Sequence, residues 1–104
     1  MILLHISCNS SEQAYEIVDF LIDQKLMLDA LVSDKMHFKQ LNHGKKESLN
    51  QILIMGTTKA LLFNKINQEI RGKYPTNMPL IYATPIIYMD SEQTQHLQEE
   101  TEKV

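Results

Sequence analysis

The stretch YPTNMPLIYATPIIYM, from Tyr74 to Met89, holds all three prolines of the chain. It is also one of the most apolar stretches of the sequence, and it predicts a strand over about residues 80–88. Proline cannot donate a hydrogen bond to a β-ladder, so it belongs at strand starts, strand edges or bulges. A strand that begins after Pro79 and contains Pro85 therefore needs a special place in its sheet.

Length and composition indicate one ordinary globular domain over residues 1–104. Hydrophobic residues make up 43% of the chain and charged residues 22%. The net charge of -3 offers no basic field for nucleic acid or an anionic membrane. No apolar run reaches the roughly 18 residues of a membrane-spanning helix. A single cysteine fits a reducing compartment, and the start MILLHISC is too short and uncharged for a signal peptide. We expect a cytoplasmic protein.

The first half of the chain predicts a strand, a helix and a long hairpin. Residues 2–7 form an apolar run, and Ser10 and Gln13 have the spacing of a capping box. An apolar helical stripe follows and ends near Lys25. Period-two alternation then predicts a half-buried strand. One side of it would carry Ala30, Val32, Met36 and Phe38, with Asp34 as the exception, and the other side Ser33, Lys35, His37 and Lys39.

The second half repeats the order of strand, helix and strand. Gly44 marks a turn, after which a third strand runs through ILIM and is expected to break at Gly56 and Thr57. Thr57 or Thr58 would cap a second helix that ends at Gly72. After the proline-containing strand, a last short helix begins at Asp90 or Ser91, with Leu97 as nearly its only apolar anchor. The final residues, EETEKV, are expected to fray.

The predicted order is β-α-β-β-α-β with an additional C-terminal helix, which is the ferredoxin-like α+β arrangement. Two helices would cover one face of a four-stranded antiparallel sheet, and nothing in the chain would cover the other face. The hairpin strands are each about 12 residues long and would span about 40 Å. A domain of this size has a radius of gyration near 13 Å. The outer hairpin, about residues 39–50, should therefore project and pair with another subunit, unless it bends, frays or is shorter.

Three segments resemble the CutA family, the divalent-cation-tolerance proteins. YPTNMPLIYATPI is similar to the family's HPYEVPEIIALPI segment, with the three prolines in the same register. EIVDFLIDQKLMLDALV is similar to the first helix and its run into the second strand. HGKK matches the family's W-x-G-K hairpin through Gly44 and Lys45. The resemblance covers nearly the whole chain, and the proline spacing is its most specific part.

The resemblance implies a homotrimer of ferredoxin-like subunits, similar in architecture to the PII signalling proteins. Long hairpins would pair between subunits, and sheet faces would be buried around a threefold axis. Pro75 and Pro79 would shape the loop before the fourth strand. Pro85 would lie inside that strand, where its missing N–H suits a bulge or an unpaired edge.

Several positions depart from the family's polar pattern. Asp29 stands where the family usually has a cysteine, and Tyr74 stands where it has a histidine. The other departures are Asn42 for tryptophan, Thr76 for tyrosine, Leu80 for glutamate, Asn50 for an acid and Gly56 for lysine. The fold therefore transfers well, whereas the family's ligand chemistry transfers poorly.

Copper or another divalent metal is the cofactor that the resemblance suggests, and Cys8 and His43 are its weak candidate ligands. His5 and Cys8 are three residues apart, so they point to opposite faces of a strand and cannot form a chelate. No H-x-x-x-H, C-x-x-C or H-E-x-x-H spacing occurs. A metal site would have to form across subunits, and the plainer interpretation is surface histidines with one cysteine at a strand end.

The sequence gives little support for catalysis. Cys8 precedes NSSE, and a thiol near a helix N-terminus can act as a nucleophile, but Ser10 and Ser11 are better explained as helix caps. No G-x-S-x-G, P-loop or GxGxxG motif is present. We expect a protein that is not an enzyme.

Lysines on the hairpin give a second candidate site. Lys35, Lys39, Lys45 and Lys46 form a modest basic stretch that either keeps a strand edge soluble or binds an anion. An inter-subunit cleft would draw its ligands from Lys39, Lys45, Tyr74 and Asn77. The sequence thus predicts a non-enzymatic trimeric binding or regulatory module, linked to divalent-cation tolerance. The alternatives are binding of a small anion or nucleotide between subunits, and a purely structural or partner-binding trimer.

Overall fold

The computed structural model describes all 104 residues of the chain. It contains four strands, three α-helices and one turn of 3-10 helix. In chain order these are β1 (Ile2–Cys8), α1 (Ser11–Asp23), β2 (Leu31–Asn42), β3 (Lys45–Thr58), the 3-10 turn (Ala60–Leu62), α2 (Phe63–Lys73), β4 (Leu80–Pro85) and α3 (Ser91–Glu100).

The strands form one antiparallel sheet in the order β2-β3-β1-β4. This order and the element sequence confirm the predicted ferredoxin-like α+β fold with a long β2–β3 hairpin and a short C-terminal helix. The hairpin gives the molecule its long axis, since the subunit measures 45 × 27 × 23 Å.

The core lies between the helices and one face of the sheet, which we call the helix side. Alternate residues of β1 and β3 point into it and are buried, among them Leu4, Ile6, Ile52 and Ile54. The apolar stripes of α1 and α2 close it from above with Ile17, Leu21, Ile66 and Ile70. The opposite face, which we call the open face, carries large exposed side chains, among them Leu31, Met36, Leu80 and Tyr82.

The position of β4 in the sheet explains how a strand can contain Pro85. β4 is an edge strand, and Pro85 is its last residue, opposite Ile2 of β1. The next residue, Ile86, donates its N–H to the carbonyl of Met1 at 3.0 Å. Successive backbone nitrogens of an extended strand point in opposite directions, so the nitrogen of Pro85 faces the free outer edge. No ladder bond is lost there, as expected of an edge proline.

A β-bulge in β2 corrects the predicted alternation. The pairing of β2 with β3 shifts between Val32 and Lys35. Val32 lies opposite Ile54 on the helix side, whereas Met36 lies opposite Gln51 on the open face. Val32 and Met36 were predicted to share a face, and that prediction is wrong because the bulge adds one residue to the strand.

Four predicted boundaries are also wrong. β3 continues through Gly56 to Thr58. Neither threonine caps α2, since the Thr58 hydroxyl donates instead to the carbonyl of Leu26 at 2.5 Å. Gly72 lies inside the last turn of α2, with Tyr74 as the C-cap. β4 ends at Pro85, three residues short of Tyr88.

The C-terminal residues are attached to the domain, so the expected fraying is wrong through residue 102. Thr101 is buried, and the Glu102 N–H donates to the carbonyl of Lys25 at 2.8 Å. Lys59 donates to the carbonyls of Thr101 and Glu102, at 3.3 and 2.9 Å. Lys65 forms a salt bridge with Glu102. These contacts hold α3 against the start of α2.

Candidate functional site

The open face is a broad surface of the sheet on which several large apolar side chains are exposed. Alternation from the paired registers assigns its members, because residues directly opposite each other on antiparallel strands share a face. Its large side chains are mostly apolar. They are Leu3, Leu31, Met36, Phe38, Leu49, Leu53, Met55, Leu80 and Tyr82.

Several of these side chains are far more exposed than a core residue. The exposed fraction is 70% for Leu31, 48% for Met36, 52% for Leu80 and 46% for Tyr82. Leu53 and Met55, nearer the middle of the face, are half-buried. A contiguous apolar surface of this kind is typical of an interaction surface.

Two adjacent cavities of about 170 and 200 Å³ lie on this face. Phe38, Gln51 and Leu80 line both of them. Ser7 and Tyr82 line the first, and Asn9 lies at the border of the second. The cavities therefore share apolar walls and one central amide, that of Gln51.

A chain of hydrogen bonds fixes that amide. The Ser7 hydroxyl donates to Oε1 of Gln51 at 3.1 Å, and Nε2 of Gln51 donates to Oδ1 of Asn9 at 3.2 Å. Nδ2 of Asn9 donates to Oδ1 of Asn77 at 2.8 Å. Nε2 of Gln13 donates to the Asn77 carbonyl at 2.8 Å. The network ties the open face to the start of α1 and to the loop before β4.

No sequence pattern marked this hydrogen-bond network as a candidate site. The capping box pointed to Gln13, and Ser10 does accept from the Gln13 N–H at 3.1 Å. The side chain of Gln13, however, accepts from the N–H of Asn9, one residue before the cap. Gln51 could have been found from its phase, because it alternates with Leu53 and Met55 and is the polar member of that series.

The four predicted ligand residues lie in two groups. Tyr74 and Asn77 belong to the loop between α2 and β4, whereas Lys39 and Lys45 lie on the outer hairpin. Lys39 pairs with Ser48 on the helix side, and Lys45 pairs with Asn42 on the open face. Within one subunit no hydrogen bond or salt bridge joins either lysine to Tyr74 or Asn77. The structure therefore places the two lysines and the two loop residues on separate elements.

Tyr74 has a negatively charged partner. Its hydroxyl donates to Oε1 of Glu16 at 2.8 Å. Burial, together with this hydrogen bond and the negative charge of Glu16, raises the pKa of Tyr74 to about 12. A neutral phenol that already donates to a carboxylate is a poor ligand for an anion.

The two candidate metal ligands lie far apart. Cys8 pairs with Ile52, whereas His43 is in the hairpin turn with a positive φ of 52°. The stretch of β3 from Lys45 to Ile52 spans about 24 Å. Cys8 is fully buried on the helix side, and burial raises the pKa of its thiol to about 12. Metals bind the thiolate rather than the thiol, so these residues do not fit a metal centre within one subunit.

Other donors do not complete such a centre. No three side chains of His, Cys, Asp or Glu converge anywhere in the subunit. The registers confirm that His5 and Cys8 face opposite sides of β1, since His5 pairs with Met55 and Cys8 with Ile52.

None of the helices is long and apolar enough to cross a membrane.

The model of the CutA1 family, described as CutA1 divalent ion tolerance protein, matches residues 2–100 of the chain. The chain belongs to the CutA1 family. The resemblance to this family that the sequence indicated is thereby confirmed. No curated protein is detectably similar to the chain by sequence comparison alone.

Solved CutA1 structures share the fold. The divalent cation tolerance protein of Thermus thermophilus superposes with a TM-score of 0.91 at 22% identity, over 98% of this chain and 100% of that one. CutA1 from Oryza sativa gives a TM-score of 0.92 at 16% identity, over 99% and 94%. CutA from Archaeoglobus fulgidus, described as periplasmic, gives 0.89 at 22% identity, over 98% and 100%. At these identities the likeness shows the fold.

Proposed function

We propose that this CutA1 chain is a non-enzymatic homotrimer that acts as a binding or regulatory module in divalent-cation tolerance. The observation that carries the proposal is the open sheet face. Three copies that cover this face for one another would bury it without any additional element. The number three comes from the family resemblance, whereas the need for a covering surface comes from the exposed side chains.

Burial of the open face supplies the driving force. Removing apolar surface from water contributes about 25 cal/mol per Å². The face carries few charges, since Lys45 and Glu47 lie near the hairpin tip and Asp34 lies in the β2 bulge opposite Leu53. A surface that is mostly apolar with few charges is suited to protein contact and unsuited to nucleic acid.

The outer hairpin supports the same assembly. Its helix side is mostly polar, with Lys35, His37 and Lys39 beyond the cover of the helices. Its open side carries Met36 and Phe38. Leu41 is the one exposed apolar residue on the helix side of the arm, so the arm mainly continues the open face away from the subunit core.

Any copper or zinc binding would be weak or would depend on contacts between subunits. The motivation is the buried thiol of Cys8 and its distance from His43. Isothermal titration calorimetry with copper and with zinc is the test. One tight site per subunit that Cys8→Ala or His43→Ala abolishes would contradict this part of the proposal.

Binding of a small anion or nucleotide between subunits is the second candidate function. In its favour, neither Lys39 nor Lys45 has a salt-bridge partner, as Lys65–Glu102 is the single salt bridge of the subunit. The engagement of Tyr74 with Glu16 argues against that tyrosine as a ligand. A thermal-shift screen of nucleotides and small anions separates this function from a purely structural or partner-binding trimer, which no ligand would stabilise.

Sedimentation equilibrium tests the assembly itself. The chain should sediment as a trimer, and Leu80→Glu should dissociate it by placing a charge between the two cavities of the open face. Leu61→Glu is the matched control, since Leu61 is also exposed, at 77%, but belongs to the 3-10 turn outside the sheet. A folded monomer at high concentration would refute the proposal. A dimer would keep the open-face contact and refute the number three.

We also propose a cytoplasmic location, on the basis of the single free cysteine. One structural relative is described as periplasmic, so cell fractionation with compartment markers is needed. Recovery of the protein in an extracytoplasmic fraction would refute the location.

A further inference from the structure

His5 lies in the middle of the open face with one ring nitrogen cut off from any partner. Its imidazole stacks on the Tyr82 ring, with centroids 4.9 Å apart and planes 6° from parallel. Nδ1 is buried and has no hydrogen-bond partner. The other nitrogen, Nε2, makes no hydrogen bond within the subunit and keeps contact with solvent. The ring is thus held flat on a tyrosine in an apolar surface.

We infer that His5 makes assembly through the open face sensitive to pH, with the neutral ring favouring the trimer and the protonated ring favouring free subunits. The inference rests on the proposed assembly of copies of this chain through that face. Histidine is the side chain whose ordinary charge change falls between about pH 5 and 8, so the effect belongs to mildly acidic conditions.

The surroundings of the ring determine whether a lower pH strengthens or weakens assembly. An imidazolium carries two N–H donors, whereas the neutral ring carries one. Nδ1 has no acceptor, so the protonated ring must bury one unsatisfied donor or turn away from Tyr82. In the free subunit Nε2 still contacts water, which stabilises the charge. A covering subunit removes that water, and burial of a charge without a partner is strongly unfavourable. Assembly therefore releases protons and weakens as the pH falls.

Neighbouring groups do not reverse this sign within the subunit. The titratable groups on the open face are few. From β3 they are Lys45 and Glu47, from β4 the phenol of Tyr82, from the loop before β2 the carboxylate of Asp29, and from the β2 bulge the carboxylate of Asp34 opposite Leu53, while His37 of β2 lines the cavity beside Tyr82.

No hydrogen bond or salt bridge joins any of these carboxylates to His5, and Asp34 lies across β3 on the far strand, opposite Leu53. Glu47 is eight residues along β3 from Met55, the partner of His5, which is about 27 Å. Asp29 accepts from the N–H and the hydroxyl of Thr57, at 3.1 and 2.8 Å, so its carboxylate is directed at β3. Stacking on Tyr82 stabilises a cation in the free and the assembled subunit alike, so it cancels from the assembly equilibrium.

Sedimentation equilibrium at about pH 8.0 and about pH 5.5 tests the inference, in the same buffer salt, because histidines titrate in this interval and ordinary carboxylates do not. The wild-type chain should be a trimer at the higher pH. Once a group titrates, each proton that dissociation takes up weakens assembly about tenfold per pH unit. The protein concentration at which half of the trimer dissociates should therefore rise at least tenfold at the lower pH. His5→Phe keeps an aromatic ring without a charge and should remain assembled at both values.

Control variants distinguish a specific effect of His5 from a general effect of pH or of misfolding. His96→Gln, at an exposed position of α3, should keep the wild-type pH dependence. If His5→Phe does not fold by circular dichroism, His5→Gln replaces it as an uncharged variant, and its assembly should likewise be independent of pH. A wild-type trimer that is equally stable at both pH values overturns the inference and leaves the proposed assembly standing.

Other results are equally decisive. Stronger assembly at the lower pH would show that a partner carboxylate meets Nε2, and it overturns the inference. Equal acid dissociation of wild type and His5→Phe assigns the effect to another group and overturns it too. A monomer at pH 8.0 refutes the proposed assembly, and this inference falls with it.

Discussion

Met27 packs directly over Gly56, so that the space in which a side chain would begin is already filled. A Cβ at Gly56 would overlap Sδ of Met27 and the backbone oxygen of Asp29, and it would come within 2.9 Å of Cγ of Met27. A backbone oxygen cannot move aside as the end of a flexible side chain can. The glycine therefore allows the segment before β2 to lie against β3.

Gly56→Ala should lower the free energy of unfolding by about 1–3 kcal/mol, the usual range for overpacking a filled site. Gly72→Ala is the matched control, since nothing lies within 4 Å of a Cβ at that position and Gly72 is helical. It should stabilise the protein by up to about 1 kcal/mol through helix propensity. Urea unfolding at one fixed protein concentration measures both. Equal effects of the two substitutions would contradict the packing argument.

Cys8 should be chemically inert in the folded protein. Burial raises the pKa of its thiol to about 12 from an ordinary value of 9.0, so almost no thiolate exists at neutral pH. Modification by iodoacetamide at pH 8 should require global unfolding. Its rate should then rise with urea in parallel with the unfolded fraction. Rapid modification of the native protein would show that the thiol is accessible and would reopen its candidacy as a ligand.

Stability should fall at alkaline pH partly through Tyr74. Its folded pKa is raised to about 12 from 10.0, so below pH 10 the phenol is neutral in both states and its contribution is complete. Between pH 10 and 12 the unfolded chain loses the proton while the folded chain keeps it, so the free energy of unfolding decreases as pH rises. Urea unfolding at pH 9 and pH 11 should show a smaller decrease for Tyr74→Phe than for wild type. An identical decrease would exclude Tyr74 as a source.

The two lysines that hold the C-terminal residues should differ in importance. Lys59 donates to two backbone carbonyls in a partly buried place, so Lys59→Met should cost about 1.5–3 kcal/mol, the range for hydrogen bonds to a charged group. Lys65 makes an exposed salt bridge with Glu102, and such pairs contribute about 0–1 kcal/mol. Lys65→Met is therefore the control. A larger loss for Lys65→Met in thermal or urea unfolding would reverse this assignment.

Shortening the hairpin should weaken assembly before it weakens the fold. Leu41 pairs with Lys46 and Asn42 with Lys45. Deleting these two pairs removes an even number of residues from each strand, so the remaining side chains keep their faces and the His43–Gly44 turn is retained. Sedimentation should show easier dissociation while circular dichroism stays unchanged. Loss of the folded signal at the same urea concentration as loss of assembly would contradict a separate role for the arm.

The fold could be predicted from the sequence because its patterns are local and repeated. Helical stripes, alternation and the order of elements each pointed to the ferredoxin-like arrangement, and Pro85 fits an edge strand. The β2 bulge was missed because nothing local marks it apart from Asp34, which appeared as an exception in an otherwise regular series. The end of β3 was wrongly predicted at Gly56. In a sequence, a glycine that is needed because another segment packs closely against it looks the same as a glycine that ends a strand.

The candidate site was harder to predict, because it depends on side chains that meet only after folding. Asn9, Gln51 and Asn77 are distant in sequence, and their hydrogen bonds follow from the register of three strands and a loop. The predicted ligand residues are divided between the hairpin and the loop before β4.

The bulge at Ser33 and Asp34 affects the direction of the outer hairpin but not which side chains lie on each of its faces. Two residues of β2 stand there against Leu53 alone, and such an insertion bends the strand and increases its twist. Without Asp34, plain alternation would still send Val32 to the helix side and Met36 to the open face. Deletion of this one residue would therefore change the angle at which the hairpin leaves the sheet, while the side chains on each face of the hairpin stay the same.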